Sequence, residues 1–143
     1  MSVDQIQLAL NNLGRALGRL DEALSVPAEN PLAIDATIQR FEFTIELFWK
    51  ALKRFLQHEG IEAATPRSVL RHAYQIGWLE NEDAWLQMLK DRNESSHTYN
   101  EAKAREIYEH IRTNAPELRR ANQLLRERLA SLPAEAEPSD KKG

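Results

Sequence analysis

The chain contains no cysteine. That excludes a disulfide framework and every thiolate zinc site, and it fits a reducing cytoplasm, the expected location. Glycine is scarce: Gly14, Gly18, Gly60, Gly77 and Gly143 never cluster, so no phosphate-cradling loop or dinucleotide turn can be built from them. No stretch approaches the roughly 20 consecutive apolar residues that cross a bilayer, and a soluble protein with no membrane contact is expected. The opening Met-Ser-Val-Asp lacks the basic and then apolar run of a secretory signal. Positive charge is not in excess either. A formal net charge of −3 argues against broad electrostatic adhesion to nucleic acid, so any RNA contact must be local. The period-two alternation of a half-buried strand is missing throughout.

What the sequence does contain is helical periodicity. At 143 residues it suits one domain able to bury a substantial core unaided. From Ile6, apolar residues recur at Leu10, Leu13, Leu17, Leu20 and Leu24, steps of four and three that give a helix with one apolar seam. Gly14 and Gly18 within it each cost about 1 kcal/mol against alanine, which points either to close helix approach or to glycine merely tolerated. Asn30-Pro31 reads as an N-cap followed by proline at the first helical position. The second helix repeats the seam at Ile34, Ile38, Phe41, Ile45, Phe48, Leu52 and Phe55, and adds Phe43, Leu47, Trp49, Ala51 and Leu56 on other faces. A helix apolar on most sides is the centre of a bundle or buries a second face against another chain. Gly60 closes it. Thr65-Pro66 opens a short helix through Val69, Leu70, Ala73 and Ile76 that stops at Gly77. Asn81 caps a fourth, with Trp85, Met88 and Leu89 inward and Arg92 near its end. The last helix starts near Thr98 or Asn100, where Thr98 and Glu101 have the form of a capping box. Its seam is Ala104, Ile107 or Tyr108, Ile111, Ala115, Leu118, Asn122, Leu125 and Leu129, in phase across Pro116, which favours one kinked helix over two. The expectation is an all-α domain of about five helices over residues 1–132, with a disordered tail over 133–143.

The stretch Lys90-Asp91-Arg92-Asn93-Glu94-Ser95-Ser96-His97-Thr98-Tyr99 stands apart from this scaffolding. With 13 Arg and 4 His in 143 residues, an Arg-x4-His pair is expected by chance roughly 0.4 times, and adding the tyrosine two places on lowers that to roughly 0.01. The triplet, not the pair, is therefore worth arguing from. On an unbroken helix Arg92 and His97 would diverge by about 140°, so convergence needs a break at Ser95-Ser96 or a second chain. Asn93, four residues before His97, could orient the imidazole if the helix runs on. Histidine moves protons near neutral pH, and the arginine fork fits a phosphate. Together they suit cleavage of RNA by its own 2′-hydroxyl, with His97 as acid/base and Arg92 as phosphate ligand. The plainer alternative is two exposed residues at a helix end, favoured there by the dipole. Glu42, Glu46 and Lys50 share one face, either as a surface ladder or with one carboxylate partly buried against Arg92. His58, His72, His97 and His110 show no zinc-ligand spacing, and no metal or other cofactor is expected.

These residues resemble the HEPN superfamily. The likeness rests on Arg92-x4-His97-x-Tyr99-Asn100-Glu101 and on the central helix Phe41-Glu42-Phe43-Thr44-Ile45-Glu46-Leu47-Phe48-Trp49-Lys50. More narrowly, the chain is similar to small subunits encoded beside a minimal nucleotidyltransferase, some of them toxins of toxin–antitoxin modules. The resemblance implies an up-and-down, four-helix-type bundle that forms a homodimer, the Arg and His of both copies meeting near the two-fold axis. It implies a metal-independent ribonuclease in which Arg92 and His97 are catalytic, with Asn93 supporting. It also implies silencing by the nucleotidyltransferase partner, which attaches AMP to the motif tyrosine, here Tyr99. The alternative is a non-catalytic accessory subunit that binds that enzyme's nucleotide or substrate, and a third is a plain helical interaction module.

Overall fold

The computed structural model describes residues 3–95 and 100–133. His97 and Tyr99, the Thr98 half of the expected capping box and the tail beyond Pro133 lie outside the described residues. Five helices follow in order: α1 (Val3–Leu24), α2 (Pro31–His58), α3 (Pro66–Gln75), α4 (Glu82–Ser95) and α5 (Glu101–Ser131). The architecture is the all-α bundle that the periodicity predicts.

Local chemistry sets the boundaries. The Asn30 side chain accepts from the Leu32 N–H ahead of Pro31, and Thr65 with Ser68 forms a capping box ahead of Pro66. Gly60 and Gly77 adopt φ of 82° and 90° just past the ends of α2 and α3. The next N–H then reaches back five residues, Ile61 to the Leu56 carbonyl and Trp78 to that of Ala73, satisfying carbonyls the helix leaves open. α5 is one helix with Pro116 inside it, exposed to solvent, and Asn100 caps it by accepting from the Lys103 N–H. Ile76, expected inward on α3, instead caps that helix and is exposed, because the last helical residue is Gln75.

The centre of the bundle is α2, which packs against all four other helices. That accounts for its apolar residues on several faces: Ala51 and Leu56 are buried, and Leu47 and Trp49 are partly buried against the core. Phe43 is the remainder, 63% exposed. Fully buried Phe41, Phe48, Phe55 and Leu52 meet Ile6, Leu10, Leu13 and Leu20 of α1 and Trp85 of α4 in one cluster. Each such side chain contributes about 1.5–3 kcal/mol of burial. Phe48 meets Trp85 edge-on at 5.2 Å between ring centroids, the contact that locks α4 onto α2.

α1 and α2 run antiparallel, their closest polar contacts being Thr44 Oγ1 with the Ala16 carbonyl at 3.3 Å and Arg40 Nη1 with the Arg19 carbonyl at 2.8 Å. The small side chain at Ala16 allows this approach. Gly18 has open space where a Cβ would stand, and Gly14 faces only the flexible end of Arg126 on α5. Of the two readings of these glycines, the tolerated one holds.

Candidate functional site

Heptad-like packing carries Trp85 and Met88 inward and leaves the last turn of α4 lying across α2, which fixes where Arg92 can reach. One guanidinium nitrogen, Nη2, donates to Glu46 on α2, and Nη1 donates to Asn93 Oδ1 at 3.0 Å. The Arg92 side chain is 32% exposed, so it is shielded on one side and open on the other. One turn further on, Ser95 Oγ donates to Glu42. The two carboxylates of α2 thus hold the two last turns of α4. Glu46 also takes Lys50 at 3.5 Å, so both its alternatives apply at once: it belongs to a surface ladder and pairs with Arg92. Burial pushes the Glu46 carboxyl up, but the Trp49 indole beside it, short of hydrogen-bond geometry, together with Arg92 and Lys50, holds it below the usual carboxylate range.

Arg92 opens onto a groove of about 1400 Å³. Its floor is α2 from Gln39 to Leu47, with Phe43 rising from it; one wall is Asn12, Arg15 and Arg19 of α1, and the other is Arg92 and Asn93. The structure therefore brings Arg92, Asn93, Glu42 and Glu46 together. It leaves the relation of His97 and Tyr99 to them outside the described residues. α4 ends at Ser95 and α5 begins at Glu101, and the expected break at Ser95-Ser96 that would let Arg92 and His97 converge within one chain falls partly outside the described residues.

The sequence reading missed a second polar cluster on the other side of α4. Asp91, 1% exposed, accepts from Gln87 Nε2 at 3.0 Å and lies 3.0 Å from His110 Nδ1 on α5. Burial pushes its carboxyl up, a rise opposed by His110 and Gln87. The available signal was spacing: Asp91 continues the inward positions Trp85 and Met88, and a carboxylate there needs a partner. Nearby, Lys103 joins Glu94 at 3.0 Å, tying the end of α4 to the start of α5. Arg15, Arg19 and Arg40 were also missed, because only the α1–α2 pairing sets them beside Arg92.

The model of the family described as nucleotidyltransferase substrate binding protein like matches residues 8–127. The chain belongs to this family. That bears out the resemblance drawn from the Arg92 to Glu101 stretch and the central helix. A Haemophilus influenzae protein named "Probable ribonuclease HepT" is 36% identical over 83 residues, covering 54% of this chain and 57% of the relative. The chain thus spans less than two thirds of that curated relative. A crystal structure from Thermus thermophilus superposes with a TM-score of 0.71 at 38% identity, over 82% of this chain and 98% of that one. A second solved protein, from Haemophilus influenzae, matches with a TM-score of 0.62 at 27% identity, over 87% and 99% of the two chains. That structure is described as revealing the fold of a substrate binding domain of a nucleotidyltransferase. Among the described residues of this family member, no helix is long and apolar enough to cross a membrane.

Proposed function

We propose that this family member is the ribonuclease subunit of a HEPN-type toxin–antitoxin module, that it works as a homodimer, and that it cuts RNA without a metal ion. The observation that carries the reading is the placement of Arg92, clamped by Glu46 and Asn93 at the mouth of an open groove. A half-shielded guanidinium that still faces solvent can exchange part of its carboxylate contact for a phosphate, and its orientation is set in advance. In the reaction, the RNA 2′-oxygen attacks the adjacent phosphorus and the bond to the 5′-oxygen breaks, leaving a 2′,3′-cyclic phosphate and a free 5′-hydroxyl. His97 takes the proton from the 2′-hydroxyl or delivers one to the departing 5′-oxygen, and Arg92 stabilises charge on the non-bridging oxygens. The name of the Haemophilus influenzae relative supports the same chemistry.

The partner in this proposal is a minimal nucleotidyltransferase acting as antitoxin, which the family's description supports. Transfer of AMP from ATP to the Tyr99 hydroxyl, with release of pyrophosphate, places a bulky anion where RNA phosphate would enter. The test is incubation of purified protein with RNA in the presence of a chelator. Cleavage that disappears in Arg92→Ala and in His97→Ala supports the reading, and intact RNA with a folded protein rejects it. The family's description also favours a second reading, a non-catalytic accessory subunit of the nucleotidyltransferase. That reading predicts intact RNA together with a stable complex of the two proteins.

A further inference from the structure

The groove beside Arg92 is more than a catalytic corner. Of its lining residues, Arg15, Arg19, Arg40 and Arg92 carry positive charge against Glu42 and Glu46, a local balance of +2 on a chain whose net charge is −3. The two carboxylates both lie toward α4 and are engaged there, Glu46 by Arg92 and Lys50, and Glu42 by Ser95. Glu22 of α1 meets Arg19 and Arg40 at 3.6 Å each, so the α1 side sets three guanidiniums against one carboxylate and is the electropositive one. Arg15 and Arg19 stand on it four residues apart, one helical turn, and both side chains reach solvent. Arg40 extends beside Arg19, with its Nη1 on the Arg19 carbonyl. Between the two walls, Phe43 is left 63% exposed in a helix whose other large apolar side chains are mostly covered. Cationic side chains flanking an exposed aromatic ring form the arrangement by which proteins hold single-stranded nucleic acid: charge follows the backbone and the ring takes a base.

We infer that this groove is a binding track for single-stranded RNA, in which Arg15, Arg19 and Arg40 take phosphates and Phe43 stacks on an unpaired base. The track leads the chain to the scissile phosphate at Arg92, and in that respect it rests on the ribonuclease reading. It gives the local RNA contact that a chain of negative net charge requires. On the homodimer reading the Arg92 end of the groove lies near the two-fold axis, so the track runs from α1 toward the seam between copies. A duplex fits poorly, because Phe43 needs a base free of its pairing partner.

Binding and cutting can be measured apart by using a short single-stranded oligonucleotide whose 2′-oxygens are methylated, so that no attacking hydroxyl exists. The wild-type protein should bind it, and a duplex of the same sequence should bind less tightly. The Arg15→Ala/Arg19→Ala double variant should bind at least tenfold more weakly. It should also show a flatter salt dependence, the slope falling by about 0.7 per phosphate contact removed. Phe43→Ala should weaken binding about tenfold and Phe43→Trp should restore it, since stacking needs a ring rather than this particular ring. All these positions are exposed, and circular dichroism should show the same helical content in each variant. Unchanged affinity in both the double variant and Phe43→Ala overturns the track. So does a Phe43→Ala variant that changes oligomeric mass but not affinity, which makes the face a contact between copies. Loss of nucleotidyltransferase association with RNA affinity intact overturns it in favour of a protein partner. Tight, groove-dependent binding with no cutting of ordinary RNA removes the ribonuclease reading and keeps the track; cutting at unaltered kcat and KM in the double variant removes the track and keeps the reading.

Discussion

Asp91 and Arg92 are neighbours in the chain, yet they face different helices and different surroundings. Asp91 points into the α4–α5 seam, where it is 1% exposed and satisfied by Gln87 and His110. Arg92 points across α2, pairs with Glu46 and remains open to the groove. Both are polar pairs between helices, but only the one at Arg92 opens onto a groove. The pair through Asp91 is committed, because losing His110 leaves a buried carboxyl with only Gln87 to hold it. The half-open pair is pre-ordered and replaceable, which is what a phosphate site needs. Burial, rather than residue type, separates the structural pair from the one proposed to be functional.

The largest effect should come from opening the functional side. Arg92→Ala is expected to lower the RNA cleavage rate about 10²- to 10³-fold, the usual loss when one charge-stabilising donor is removed. Its urea unfolding midpoint should move little. Asp91→Ala should do the reverse, costing about 2 kcal/mol in urea titration while leaving kcat near the wild-type value. A variant that damaged both properties equally would erase the distinction. Smaller still, Glu46→Gln should change stability by less than about 1 kcal/mol, since the pair with Arg92 is partly solvated. In a filter-binding assay the same variant should bind RNA several-fold more tightly, because Arg92 no longer shares its fork with a carboxylate.

The smallest effect is one of pH, and the two carboxyls should give it opposite signs. The Glu46 value is lowered in the folded state, so its contribution is fully present above the ordinary carboxylate range and is lost as pH falls through the lowered value. The Asp91 value is raised, so its ionised form costs stability, and acid relieves that cost as pH drops from the raised value toward the ordinary range. Stability measured against pH should therefore lose less on the acid side in Glu46→Gln and more in Asp91→Asn.

Much of the fold could be read from periodicity because it is local. The seam from Ile6 to Leu24, the caps at Asn30 and Thr65, and the phase carried across Pro116 each depend on residues within a few turns. The crowded apolar faces of α2 were also legible, although two outcomes satisfied them, and packing on four helices proved to use all but Phe43. The Arg92 stretch stood out through rarity, and the resemblance it carried was specific enough to name the family. Asp91 with His110, and Arg15 with Arg19 and Arg40, escaped notice for one reason: 19 residues separate the first pair, and the α1 arginines reach the groove only through interhelical register. Single-helix patterns do not encode that register. The two readings of the glycines stayed open for the same reason, and the contact of α2 with Ala16 rather than with Gly14 or Gly18 decides between them.

The central claim is that Arg92 and His97 together cut RNA with no metal ion. Analysis of the ends of RNA exposed to the purified protein in excess chelator tests it most directly. The account predicts 2′,3′-cyclic phosphate and 5′-hydroxyl ends that vanish in Arg92→Ala and in His97→Ala. Cleavage that persists in both folded variants, or that requires an added divalent cation, would contradict it.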